Sequence, residues 1–192
     1  MFQISMISGE PVWDSLPAAK ITNYPLEKAD YKPFAQARVC ISRDDLYLQM
    51  LSFEVEPSEK SVLAAAFAMF PQQSDRRYFW LSTNRAGNLN CRFINEQDGT
   101  SDDVSRRVAA RVFSGSDLQG IYWCAAFTLP LSVVEKYYGE EALRCGSTMR
   151  GNFYKLCDDA ARPHYGSYYP VDFTAANPLG SAYFGDFQLV AY

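Results

Sequence analysis

Apolar and polar residues alternate with a period of two over most of this chain, and that period predicts strands. Val39 and Ile41 share one face; beyond the turn residues Arg43-Asp44-Asp45, Leu46, Leu48 and Met50 alternate with Tyr47, Gln49 and Leu51. Residues 37–55 therefore predict a hairpin, ended by Pro57 and Ser58. A second hairpin is predicted over 76–94, with Tyr78 and Trp80 on one face and Phe79 and Leu81 on the other. Its turn runs from Asn84 to Gly87, where glycine accepts positive φ, and Leu89, Cys91 and Phe93 share a face on the return. Ile121, Trp123, Ala125 and Phe127 define a further strand, and Leu131 to Tyr138 a two-turn helix opened by Pro130 and closed by Gly139.

Other stretches are less regular. Residues 1–36 read as an irregular or edge segment broken by Pro11, Pro17, Pro25 and Pro33, with Val12, Trp13 and Ile21 as apolar anchors. Residues 95–103 are polar and contain glycine, which predicts a loop. Residues 104–113 fit a helix through Val104, Val108 and Val112, or a strand through Val108, Ala110 and Val112. The strand is preferred, because Gly115, Ser116 and Gly120 then turn the chain into the next one. Residues 143–157 read as a long strand, 158–182 as a long aromatic loop, and 183–192 as the last strand. Many short strands joined by turn signals make an all-β, antiparallel β-sandwich, jelly-roll-like, with one or two short helices.

Composition narrows the function. A length of 192 residues makes one domain the default, spanning 1–192. The net charge of −4 lacks the basic face that nucleic acid requires. No run approaches the length of a membrane span. The first ten residues have no basic segment followed by an apolar core, so they are not read as a signal peptide, and a cytoplasmic location is expected. The five cysteines are odd in number and contain no CxxC pair; they read as buried free thiols.

Enzyme chemistry finds few candidates. His164 is the one histidine, there is no G-x-S-x-G elbow, and no glycine-rich phosphate loop is present. The adjacent carboxylates Asp102-Asp103 and Asp158-Asp159 read as solvated loop charge or helix caps rather than a glycosidase pair. The chain is read as non-catalytic. Binding chemistry is richer, because aromatic residues reach 15% with 13 Tyr and 13 Phe. Tyr168 or Tyr169 would give a stacking platform and Trp80 or Tyr78 an opposing wall. Arg77, Asn84, Arg150, Asn152 and His164 would reach hydroxyls. Rings beside amide, guanidinium and imidazole groups suit a sugar, which has an apolar C–H face and a rim of hydroxyls. Each residue also has a plainer role: Trp80 fits the core equally well, and His164 could pin its loop to the backbone.

The same residues carry a resemblance. Arg150-Gly-Asn-Phe-Tyr-Lys155, His164-Tyr-Gly-Ser-Tyr-Tyr-Pro-Val171 and Tyr183-Phe-Gly-Asp-Phe187 resemble the end of family-9-type carbohydrate-binding modules. Asn84-Arg85-Ala86-Gly87, the Asp-Asp-Leu-Tyr-Leu run at 44–48 and Phe127-Thr-Leu-Pro-Leu-Ser132 fit the same family. The resemblance implies a β-sandwich that binds a mono- or oligosaccharide at the 164–170 loop and the Tyr78/Trp80 strand. It also implies a packed Trp13, and a strand rather than an alanine-rich helix over 61–70, buried on both faces. Some family members hold a structural calcium, for which Asp158, Asp159 and Asp172 are the candidate donors. No compact ligand loop is present, so no cofactor is assigned. Tyr168 departs from the tryptophan that family members with a working sugar site usually carry after that serine. This departure supports an alternative: a protein-interaction or structural module that has lost sugar binding, with a protein in place of the carbohydrate as partner.

Overall fold

The computed structural model describes residues 1–27, 32–117, 120–139 and 142–192. Among these residues, thirteen strands and two helices follow in chain order: β1 Phe2–Met6, β2 Ala19–Ile21, β3 Phe34–Ile41, β4 Asp45–Phe53, β5 Val62–Ala68, α1 Pro71–Ser74, β6 Arg77–Asn84 and β7 Leu89–Asn95. Then come β8 Thr100–Asp103, β9 Ala109–Asp117, β10 Gly120–Pro130, α2 Leu131–Tyr138, β11 Thr148–Cys157, β12 His164–Ser167 and β13 Gly185–Ala191. They join in the order β8-β7-β6-β5-β11-β13-β1-β3-β4-β10-β9, with β12 added to β11 and β2 to β3. The sheet curls into a sandwich whose main core gathers Ile4, Leu48, Phe67, Phe79, Trp123, Phe153 and Phe187 from both halves.

Alternation drives the layers as expected. In β4 every second residue, from Leu46 to Ser52, is buried. The turn before it is tied by Ser42, whose Oγ accepts from the backbone N–H of Asp45 at 3.0 Å. In β5 both faces are covered, so alanine rather than a longer residue fills Ala64, Ala66 and Ala68. Gly151 of β11 is there for close approach, since a Cβ would lie 2.0 Å from the carbonyl oxygen of Ala66. Helix α2 ends where Gly139 takes φ 86 and donates its N–H to Glu135.

Several expectations need correction. The described part of the first 36 residues contains β1, β2 and the start of β3, and β1 sits centrally, parallel to both β13 and β3; the sheet is therefore not antiparallel throughout. Phe2 and Ile4 point into the core, and their partners come from the far end of the chain. Val12 is 63% exposed and anchors nothing; Trp13 is half-buried, and Leu16 takes the buried place near it. The polar stretch after β7 holds β8, whose residues are all exposed. The long loop after β11 begins with a strand of its own, β12, paired from Tyr154 to Cys157. The strand expected from residue 143 starts at Thr148. Residues 104–113 enter β9 after a 3-10 turn, so Val104 and Val108 are buried before the strand begins. Gly115 and Ser116, expected in a turn, stand in β9, and Gly120 opens β10; residues 118 and 119 lie outside the described residues. All five cysteines are free, and only Cys145 is exposed; burial pushes the thiols of Cys40, Cys91 and Cys124 up to about 12. None of the helices among the described residues is long and apolar enough to cross a membrane.

Candidate functional site

Strands β5, β6 and β11 form one layer with different chemistry on its two faces. The inner face belongs to the main core. The outer face carries Ala64, Ala66, Ala68, Tyr78, Trp80 and Tyr154, and residues 171–184 fold over it like a strap, packing Val171 and Phe184 onto the rings. Phe184 meets Tyr78 edge-on at 4.9 Å, and Trp80 lies 5.4 Å from Tyr154.

This layer separates the rings that the sequence grouped together. Tyr168 and Tyr169 pack with the main core, against Phe2, Phe153 and Phe187. Tyr78 and Trp80 lie on the outer face. They do not oppose each other across a cleft. Trp80 is 8% exposed, its indole N–H donating to Ser82 Oγ at 2.9 Å. Tyr169 accepts from the backbone N–H of Phe2 and donates to the carbonyl of Asp186. Tyr168 and Tyr169 both remain half-exposed.

The polar residues separate in the same way. Asn152 is fully buried: its amide N–H groups go to the carbonyls of Tyr169 and Tyr183, and its oxygen accepts from the N–H of Phe153 and Tyr169. It fixes the strap and has no hydrogen left for a ligand. Arg77 donates to Gln73 and lies over the Tyr138 ring, on the α2 side. Asn84 accepts from the N–H of Asn88 and shapes the β6–β7 turn, at the far end of its strand.

His164 belongs to a buried polar cluster whose members stand far apart in the sequence. Lys155 and Glu54, both buried, stand 3.3 Å apart. Glu54 also accepts from the Trp123 indole at 2.6 Å and from Ser61 at 2.8 Å. The Lys155 ammonium donates to Ser61 Oγ and reaches His164 Nε2 at 2.8 Å, while His164 Nδ1 donates to the carbonyl of Arg162. This pairing leaves Nε2 as an acceptor, so the ring is neutral. Burial and the neighbouring ammonium depress His164 to about 4. Burial lowers Lys155 to about 8 against the pull of Glu54. Burial would raise Glu54, but Lys155, Trp123 and Ser61 outweigh it and hold its carboxyl below the usual range.

Arg150 is half-buried and reaches an open surface. It lines a cleft of about 390 Å³ with Asp75, Arg76, Glu96, Asn177 and Ser181, at the edge of the strap. Its guanidinium pairs with Asp75 at 2.8 Å and with Asp186 at 3.7 Å, and it donates to the carbonyl of Phe184. Glu96 accepts from the Tyr78 hydroxyl at 3.1 Å, from Asn177 at 3.0 Å and from Ser181 Oγ at 2.6 Å. The cleft therefore gathers fixed guanidinium, carboxylate and amide groups, tied through Glu96 to Tyr78 of the outer aromatic cluster. Asp75, Glu96 and Asn177 were missed in the sequence, where each reads as an ordinary turn residue. Among the described residues no group of three or more His, Cys, Asp or Glu side chains is placed to hold a metal. Asp159 accepts from Ser58 and from the N–H of Ala161, and Asp172 from Thr174, so both have local work.

No protein-family model matches the sequence, and neither does any curated protein. Solved structures do. A candidate carbohydrate-binding protein from Bacteroides uniformis superposes with TM-score 0.75 at 17% identity, over 98% of each chain. A family-9 carbohydrate-binding module from Caldicellulosiruptor kristjanssonii, solved with glucose, superposes with TM-score 0.66 at 15% identity, over 100% of this chain and 96% of that one. A module of the same family and organism, solved with cellotriose, gives 0.63 at 13% identity, over 100% and 94%. From end to end, the chain has the β-sandwich fold of family-9 carbohydrate-binding modules.

Proposed function

We propose that this protein is a non-catalytic carbohydrate-binding module that takes a mono- or oligosaccharide at the Arg150 cleft. The observation that carries the reading is the end-to-end likeness to modules solved with glucose and cellotriose. The cleft supports it. Arg150 and Arg76 offer donors, while Asp75 and the Asn177 amide oxygen offer acceptors, and vicinal hydroxyls pair well with such fixed polar groups. Tyr183, half-buried against the outer aromatic cluster and next in sequence to the cleft residues Ser181 and Ala182, is the ring assigned to stacking in this reading. Each good stack is worth about 1 kcal/mol beyond area burial. Glu96 is taken up as an acceptor by three side chains and His164 is buried in its own cluster, so neither is free for acid–base work.

Arg150→Ala and Asn177→Ala are the direct test. Both variants should fold, and Arg150→Ala should weaken glucose or cellotriose binding at least tenfold. Affinity unchanged in both would move the sugar elsewhere on the molecule.

A second reading has one observation in its favour. Phe34, Phe53 and Tyr122 make a row across β3, β4 and β10 on the outer face of the other layer, with neighbouring rings 6.0 and 5.5 Å apart. Their planes are tilted by 59° and 52°, which suits an irregular protein surface better than a flat sugar. A protein-interaction module would use this face.

A further inference from the structure

The two ends of the sheet are protected very differently. At one end β8 is four residues long, Thr-Ser-Asp-Asp, all exposed. A short acidic edge of this kind resists pairing with another chain. At the other end β9 runs nine residues, Ala109–Asp117, without a proline. It pairs with β10 along its whole length on one side, and no described strand lies on the other. A long edge strand presents a row of free backbone N–H and C=O groups, which proteins normally blunt with lysine, proline, a bulge or a covering segment. Here Arg111 is the only basic side chain in the strand.

The side chains suit self-pairing. Phe113 stands at the centre of β9 and is 47% exposed. In an antiparallel pair of β9 strands related by a two-fold axis at Phe113, the two Phe113 rings meet across the axis. Arg111 then faces the glycine at 115, so no like charges oppose each other, and Val112 faces Ser114. Aromatic cross-strand pairs stabilise a sheet, whereas directly opposed like charges destabilise it. The cleft between β9 and the β6–β7 turn, about 380 Å³ and lined by Leu89, Ala110, Val112 and Phe113, lies along the same edge and would be roofed by the added strand.

We propose that the β9 edge is an interaction surface for a second copy of this chain, joined by antiparallel β9–β9 pairing about a two-fold axis at Phe113. This goes beyond the sugar-binding reading and does not depend on it: β9 and the Arg150 cleft lie on different parts of the sheet, so a dimer would carry two free clefts. Two linked sites raise avidity for a polymeric glycan without any new contact to sugar.

Sedimentation equilibrium on the intact protein tests the proposal, with sugar binding followed in parallel on the same samples. The wild type should show a concentration-dependent monomer–dimer equilibrium. Phe113→Lys places two ammonium groups opposite each other and should give a monomer with unchanged glucose affinity. Phe113→Cys in a Cys145→Ser background should form a disulfide-linked dimer on mild oxidation, while Cys145→Ser alone should not. Either of two results would overturn the proposal: a wild type that stays monomeric at submillimolar concentration, or a dimer that persists in Phe113→Lys together with no cross-link through residue 113.

Discussion

Two buried polar side chains show how differently a β-sandwich can treat such groups. Lys155 is wholly enclosed, but its ammonium has Glu54, Ser61 and His164 around it. Removing one partner of such a pair strands the other charge, at a cost of about 3–5 kcal/mol. Glu54→Gln should therefore lose about 3 kcal/mol in urea unfolding, and adding Lys155→Met to it should restore part of that loss. His164 sets the acid limit. Its folded value, about 4, lies below the ordinary 6.5, so the unfolded chain takes up the proton first. Its contribution is complete above 6.5 and is lost as pH falls through about 4; Glu54, also depressed, adds to the loss at lower pH. Urea midpoints measured across this window should fall steadily in the wild type, and less steeply in His164→Gln. Tyr154 is the opposite case. Its buried hydroxyl has no hydrogen-bond partner among the described residues, and the amide of Asn152 beside it is already spent on the backbone. A buried polar group left unpaired costs about 1–3 kcal/mol. Tyr154→Phe should raise stability, and a clear fall in its melting temperature would show that the hydroxyl has a partner after all.

Among the elements, the strap over residues 171–184 controls what the outer face offers. It is held at both ends by Asn152, which grips the carbonyls of Tyr169 and Tyr183, and in its second half by Glu96 through Asn177 and Ser181. Glu96→Ala removes the second hold and frees the Tyr78 hydroxyl. Hydrogen exchange should then quicken across 171–184 while β3 and β4 keep their protection; unchanged exchange in the strap would mean that apolar packing alone holds it. The elements also show what a sequence can convey. The β3–β4 and β6–β7 hairpins and β10 were legible because alternation and turn chemistry are local. β1 was not, because its partners are parallel strands reached only through the tertiary fold. β8 was hidden because it buries nothing, and β12 because three of its four residues are buried whichever way they point. The candidate site was half legible for a related reason. Periodicity placed Tyr78 and Trp80 on one face, but nothing in it says that Tyr168 and Tyr169 reach the layer from its other side. Lys155 and Glu54 meet across long range, so the buried cluster left no local trace.

For the whole molecule, the fold joins two surfaces that serve different ends. The strap side holds the Arg150 cleft beside the outer aromatic cluster, and the other layer ends in the open β9 edge. The central claim is that the cleft takes sugar, and calorimetric titration of the wild type with cellotriose and glucose, beside Arg150→Ala, tests it most directly. The account predicts saturable binding to the wild type and at least a tenfold loss in Arg150→Ala, with both proteins equally folded by circular dichroism. No saturable heat from folded wild type with either sugar, or full binding retained in Arg150→Ala, would contradict it.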